Sequence, residues 1–256
     1  MRKITAIANQ KGGVGKTTTA VNLAAGLALA GRRVILVDCD PQGNAGSSLG
    51  VHDDGLPTLY EALIDEAEVA SVIRPTTVDG LRIIPSGIKL IGAEVELLEV
   101  DRREFRLREL LTAVGEEVDN IILDCPPSLG LITINALTAA ESLVIPLQCE
   151  YFGLEGLSRL VTTVQRVRER LNPTLRLSGV LLTMVSHTNL SLQVMDEVRR
   201  HFGNKVFKTA VPRNVRLGEA PSHGLPVALY DSKSSGALAY ACFTEEFLQH
   251  EEESSR

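Results

Sequence analysis

The chain has no tryptophan, only 4% aromatic residues and three methionines among its 256 residues. Its core must therefore be aliphatic. Four cysteines stand singly, at Cys39, Cys125, Cys149 and Cys242, and no C-x-x-C pair occurs. That usage points to neither a zinc site nor a redox dithiol and fits a reducing compartment. Cys39 and Cys125 adjoin apolar runs and read as small buried residues. No uninterrupted apolar run reaches the length of a bilayer span, and no apolar stretch near the N-terminus leads into a cleavage site. The expectation is a soluble cytoplasmic protein. Internal repeats and low-complexity tracts are also missing.

What remains is an ordinary globular balance, 44% hydrophobic and 23% charged, with a net charge of -6. The length admits one large α/β domain or two small ones. Apolar runs of strand length fall at Ile4–Ala8, Arg33–Asp38, Leu81–Pro85, Asn120–Asp124, Ser142–Leu147 and Leu177–Val185. Helical patterns fall at Thr18–Ala30, Leu59–Ala70, Thr133–Ala140, Leu154–Leu171 and Asn189–Phe202. Ser47–Thr58 reads as loop. Glu94–Asp119, with nine acids against four arginines, reads as one or two charged helices with a solvated outer face. Strands and helices alternate without a linker, which predicts a single α/β domain with a mainly parallel central sheet flanked by helices. That domain covers 1–250, and an acidic tail occupies 251–256.

The stretch that organises the chain is Lys11-Gly-Gly-Val-Gly-Lys-Thr-Thr18, set between the first strand and the first helix. It matches the phosphate-loop pattern G-x-x-x-x-G-K-[ST] except that Gln10 stands where the first glycine belongs. Gly12, Gly13 and Gly15 still allow backbone N–H groups to turn around a phosphate chain, with Val14 between them. The helix start adds its positive end. Lys16 can reach the β- and γ-phosphates, the Thr17 hydroxyl can hold Mg²⁺, and Thr18 completes the turn. Strand ends then supply acids: Asp38 and Asp40 after one strand, Asp124 after another. In an open parallel sheet the ligand lies beyond these carboxyl ends. Asp124 suits the Mg²⁺-holding acid of a nucleotide site. Asp38 or Asp40 could instead cap the following turn.

The loop with its extra lysine, Lys11, resembles the deviant Walker A loop of the ParA/MinD family of ATPases. Val37-Asp-Cys-Asp-Pro-Gln-Gly-Asn44 and Asp124-Cys-Pro-Pro-Ser-Leu-Gly130 resemble two further segments of that family, and Val211-Pro-Arg-Asn-Val-Arg-Leu-Gly-Glu-Ala-Pro-Ser-His-Gly224 resembles the signature of its chromosomal ParA, or Soj, branch. The resemblance covers Lys3 to about Tyr240. It implies an ATPase using ATP and Mg²⁺ that forms a homodimer when ATP-bound, with Lys11 reaching the partner's nucleotide. Asp40 would position or activate the attacking water and also stand near the metal, with Asp38 its structural or Mg²⁺-linked companion. The 124–130 segment would sense the γ-phosphate, and Pro212 and Asn214 would touch the adenine. It further implies non-specific DNA binding, a ParB-type partner that stimulates hydrolysis, and association with the nucleoid.

Val198–Gly218 carries six basic residues, Arg199, Arg200, Lys205, Lys208, Arg213 and Arg216, and no acid, which suits a phosphate backbone. Paired cations on a helix end and strand are the plainer reading. His187 falls where relatives carry arginine. MinD-type relatives end in a basic amphipathic membrane helix, whereas Thr244–Arg256 here is acidic, so no membrane partner is expected. Two other classes fit the loop: a positioning switch for a protein cargo with no DNA role, and an electron-transfer ATPase, which would need cluster-ligating cysteines exposed at a dimer interface.

Overall fold

A computed structural model describes residues 2–52, 54–64, 67–150, 153–186 and 188–253. The strands, in chain order, are β1 (Lys3–Ile7), β2 (Val34–Asp38), β3 (Arg74–Pro75), β4 (Leu81–Ile84), β5 (Asn120–Asp124), β6 (Ser142–Gln148), β7 (Arg176–Val185) and β8 (Val206–Pro212). They form one sheet in the order β3-β4-β2-β5-β1-β6-β7-β8. Every pairing is parallel except β3 with β4. This is the α/β architecture that the alternation of patterns predicts. From β1 the chain first builds outward through β2 and β4, then returns through β5 and continues on the other side through β6. The loop after β1 therefore sits at the reversal of strand order, where such sheets bind ligands.

The longer helices are α1 (Lys16–Leu29), α2 (Leu59–Ile64), α3 (Leu90–Glu96), α4 (Arg106–Thr112), α5 (Leu131–Ala139), α6 (Gly153–Arg170), α7 (Asn189–Phe202) and α8 (Ser235–Glu253). Alternate strand residues feed opposite faces of the sheet, as the two-residue period requires. Ala6, Ile35, Val37, Ile121 and Leu123 pack under α3, α4 and α5 on one face. Ile7, Val34, Leu36 and Ile122 pack under α1 and α8 on the other. The core is aliphatic except at one place, where Tyr240, Phe243 and Phe247 of α8 meet Phe207 of β8. Phe207 and Phe243 cross edge to face with centroids 4.9 Å apart.

Three predicted elements differ in detail. Leu59–Ala70 is not one helix, because α2 stops at Ile64 and a separate turn, Val69–Val72, starts after Glu68 takes an extended backbone. The charged stretch resolves into α3 and α4, parted by short 3-10 turns and by Arg102 in the left-handed region at φ 55°. The expected loop Ser47–Thr58 begins on the last residue of a one-turn helix, Asn44–Ser47. At the far end α8 continues to Glu253, and Lys3 donates to the Glu251 carbonyl at 2.9 Å while Asn120 donates to its carboxylate at 3.2 Å. No helix among the described residues is long and apolar enough to cross a membrane.

Candidate nucleotide-binding site

The loop after β1 is shaped by two glycines in the left-handed region, Gly13 at φ 71° and Gly15 at φ 84°. Gly15 caps α1 without any side-chain hydrogen bond, and no acid stands in the first turn. The first N–H groups of α1 are thus left for an anion. The loop is held from below and from the side. Asn9, itself buried, donates to the Pro146 carbonyl at 2.7 Å and accepts from the Lys11 N–H at 3.1 Å. The Thr183 hydroxyl, at the end of β7, donates to the Val14 carbonyl at 2.9 Å. Gln10 Oε1 is buried without a hydrogen-bond partner among the described residues.

Lys16 is 7% exposed and its ammonium donates to the Lys11 carbonyl at 3.2 Å. Burial lowers its pKa, opposed by the charges of Asp124 and Asp40. Lys11 turns outward and pairs with Glu150 at 3.5 Å within its own chain.

The three acids behave differently. Asp38 is fully buried and accepts from the N–H groups of Asp40 at 3.0 Å, Ala45 at 3.0 Å and Gly46 at 3.2 Å. Burial still pushes its carboxyl up to about 6, against those donors. Asp40 accepts from the Gln42 N–H at 3.0 Å, and the Ser86 hydroxyl donates to the Asp40 carbonyl. It therefore caps a turn, and its second carboxylate oxygen has no hydrogen-bond partner among the described residues. Asp124 is fully buried, and neither carboxylate oxygen has a hydrogen-bond partner among the described residues. Burial first and the Asp38 charge second drive its carboxyl well above the usual range. The Thr17 hydroxyl and Lys16 act the other way, the hydroxyl without reaching hydrogen-bond geometry.

A buried carboxylate with two free oxygens, beside a threonine hydroxyl and facing the phosphate loop, fits Mg²⁺. No group of three or more His, Cys, Asp or Glu able to hold a metal occurs among the described residues. Cys39 and Cys125 are buried and their thiols are pushed up by burial, so neither is presented at a surface for a cluster.

Next to Gly15 and Thr18 opens a largely apolar cavity of about 340 Å³, lined also by Thr183, Met184, Pro212, Asn214, Leu217 and Tyr240. Its dimensions and lining suit a flat heterocycle. Asn214 donates to the Ser235 hydroxyl at 2.7 Å and accepts from the Arg216 N–H at 2.8 Å. Met184 takes φ 50°, a conformation uncommon for a side chain of its size. A larger cleft of about 460 Å³ lies near Arg176, Lys205 and His250, at the opposite edge of the sheet, away from all the loop residues. Asn9, Ser86, Thr183 and Met184 were not legible as site residues. The one signal they share is a place at or just beyond the carboxyl end of a strand.

The six cations are spread along α7, β8 and the segment after β8. All are exposed. Lys205 precedes β8, at the edge of the sheet away from the phosphate loop, and Arg200 is in the last turn of α7, whereas the charge of Arg199 acts on the buried Cys149 thiol just after β6, against the larger effect of burial. Lys208 is midway along β8, whose length of roughly 20 Å separates the two ends. Arg213 and Arg216 come after β8, on the loop side. Arg213 lies 4.0 Å from Glu150, and Arg216 pairs with Glu219 at 2.7 Å and Asp231 at 3.2 Å. His187 lies outside the described residues.

A family profile described as AAA domain matches residues 2–177. The sporulation initiation inhibitor protein Soj of Bacillus subtilis is 57% identical over 96% of this chain and 98% of its own. The chromosome partitioning protein ParA of Myxococcus xanthus is 53% identical over 97% of this chain and 89% of its own. Among solved structures, a cobyrinic acid a,c-diamide synthase from Mycobacterium smegmatis with bound ADP and magnesium superposes with TM-score 0.87 at 38% identity, covering 100% of this chain and 97% of that one. The cell division ATPase MinD of Pyrococcus furiosus gives TM-score 0.82 at 26% identity, covering 97% and 99%.

Proposed function

The chain belongs to the family of Soj and ParA partition ATPases, and from that premise we propose that it is an ATP-dependent dimerising ATPase acting in chromosome or plasmid partition. The observation that carries the reading is Asp124, buried with two unpartnered oxygens beside Lys16 and Thr17. The cost of burying that charge is removed by a proton in the metal-free protein and would be offset by a bound cation in its place. Thr17 and Asp124 would hold Mg²⁺, with Asp40 nearby; the ion would supply neutralisation of the phosphate charge.

The chain's own groups supply positioning. Gly12, Gly13, Val14, Gly15 and Thr18 offer N–H groups to the phosphates, and Lys16 adds its charge. Pro212 and Asn214 line the base cavity. The second oxygen of Asp40 is available to orient an attacking water. Lys11 would leave Glu150 and reach the nucleotide of a second subunit. Hydrolysis would then remove the charge that holds the dimer together. In the ATP state Arg213 and Arg216 near the nucleotide, with Arg199, Arg200, Lys205 and Lys208 further along, would contact DNA phosphates without reading bases. A ParB-type partner would stimulate turnover, and the protein would be cytoplasmic and nucleoid-associated.

The test is DNA co-sedimentation with ATP, with ADP and without nucleotide, at two salt concentrations. Wild type is compared with Asp40→Ala, Lys16→Ala and Arg216→Glu. Binding only with ATP, kept or prolonged in Asp40→Ala and lost in the other two, supports the proposal. An ATP-dependent dimer that ignores DNA overturns the DNA clause and leaves a positioning switch for a protein cargo.

A further inference from the structure

The helix α3 carries apolar residues on two faces. Leu90, Ala93 and Leu97 point into the core with no exposure. On the other side Ile88, Ile91, Val95 and Leu98 are 68%, 54%, 68% and 53% exposed. Their spacing of three, four and three residues places them in one stripe along a continuous helical winding, since Leu90, Ile91 and Gly92 donate back to Gly87, Ile88 and Lys89. A helix that serves only the core has a polar outer face. Here that face is a row of large aliphatic side chains, the kind of exposed patch that marks an interaction site.

Acids outnumber cations around the stripe. Glu94, Glu96, Glu99 and Asp101 stand along it, whereas the cations beside it are each paired with an acid elsewhere: Lys89 with Glu61 at 2.9 Å, Arg102 with Glu109 at 3.3 Å, and Arg103, which also donates to the Leu98 carbonyl, with Glu104 at 3.3 Å. Two copies of this chain meeting through the stripe about a two-fold axis would set like charges against each other. We propose that Ile88, Ile91, Val95 and Leu98 form a docking surface for a basic amphipathic helix of a partner protein, its apolar residues on the stripe and its cations against the flanking acids.

The surface is joined to the nucleotide site at both ends. Ile88 stands two residues after Ser86, which donates to the Asp40 carbonyl, and lines a cleft with Pro41, Gln42 and Gly43. Further along, the Glu94 carboxylate fills the place that a side chain on Gly130 would take. A partner on the stripe therefore leans on the segments after both β2 and β5. Control of hydrolysis by that route rests on the ATPase reading; the docking itself does not.

The test uses the full chain without nucleotide and a labelled synthetic helix with leucines at the same spacing and lysines between them, monitored by fluorescence anisotropy. The expected result is binding that weakens with salt, at least tenfold weaker for a peptide with glutamates in place of the lysines. Ile91→Ser/Val95→Ser, which leaves the charge unchanged, should lose at least tenfold. If the double variant does not fold, Ile88→Ser in the preceding turn takes its place, with a smaller loss expected. Equal binding of the lysine peptide by the folded variant overturns the proposal, as does equal binding of both peptides by wild type. Self-association of wild type that the double variant abolishes overturns it in favour of a second copy. Binding of a fluorescent ATP analogue, measured on the same samples, fails separately if the ATPase reading is wrong.

Discussion

Asp38 and Asp124 are register partners at the ends of β2 and β5, yet one carboxylate is saturated with hydrogen bonds and the other has none. The cause lies in the residues just beyond each strand. After Asp38 the chain curls back, and the N–H groups of Asp40, Ala45 and Gly46 converge on it. After Asp124 come Cys125, whose N–H is spent on the Ile7 carbonyl at 3.1 Å, and then Pro126 and Pro127, which have no N–H to give. Two equivalent positions in the sheet thus become a structural cap and a group prepared for a cation.

Both carboxyls are held above their unfolded pKa near 3.9, so the folded state keeps protons that the unfolded chain has released. Stability from this source is full below about pH 4 and is lost as pH rises, through about 6 for Asp38 and likewise through the raised pKa of Asp124. Asp124→Asn removes its share of the loss. The melting temperature of the metal-free variant, minus that of wild type, should therefore grow more positive from pH 4 to pH 7 in a calorimetric series. Mg²⁺ with ADP should raise the wild-type value at pH 7 and leave the variant nearly unmoved. A difference that stays flat or shrinks across the series contradicts the burial argument.

Thr183 ties the phosphate loop to β7 through the Val14 carbonyl. Thr183→Val keeps the shape and removes the donor, leaving a buried carbonyl unpaired at a cost of about 1–3 kcal/mol. Urea unfolding should show that loss, and binding of a fluorescent ATP analogue should weaken several-fold as the loop loosens. Unchanged affinity with reduced stability would confine Thr183 to a structural part.

Gly224 closes the 211–224 segment at φ 64°, and a Cβ there would stand 2.8 Å from the Gly50 Cα. Gly31, at φ 85°, has nothing within 4 Å of the same position. Gly31→Ala should cost only the conformational strain, about 1 kcal/mol, whereas Gly224→Ala adds a backbone clash and should cost about 2 kcal/mol more. Equal losses in urea would mean that the two loops separate easily.

Glu246 of α8 covers the open edge of β8, accepting from the N–H groups of Lys208 at 2.7 Å and Thr209 at 2.9 Å. Glu246→Ala should cost about 1.5–3 kcal/mol, as expected for bonds to a charged acceptor, and should raise aggregation on heating by exposing a strand edge. Light scattering during a thermal ramp, beside urea unfolding, separates the two effects.

Local patterns determined much of this protein. The apolar runs ending in Asp38 and Asp124, the glycines at 13 and 15 and the Lys16-Thr17 pair depend on backbone geometry and on neighbours in the chain, so strands, loop and helix start were legible without a structure. Even the unpaired state of Asp124 has its reason in Pro126 and Pro127. Tertiary structure alone decided what distance along the chain conceals. The cavity beside Gly15 needs Thr183, Asn214 and Tyr240, brought together because parallel strands end at one edge. The basic tract is continuous in sequence, but Lys205 and Arg213 stand at opposite ends of the edge strand β8, which runs its full length between them. The exposed stripe on α3 also had to wait for the fold. Its pattern of apolar residues is periodic on both faces, and only packing against the sheet decides which face is covered.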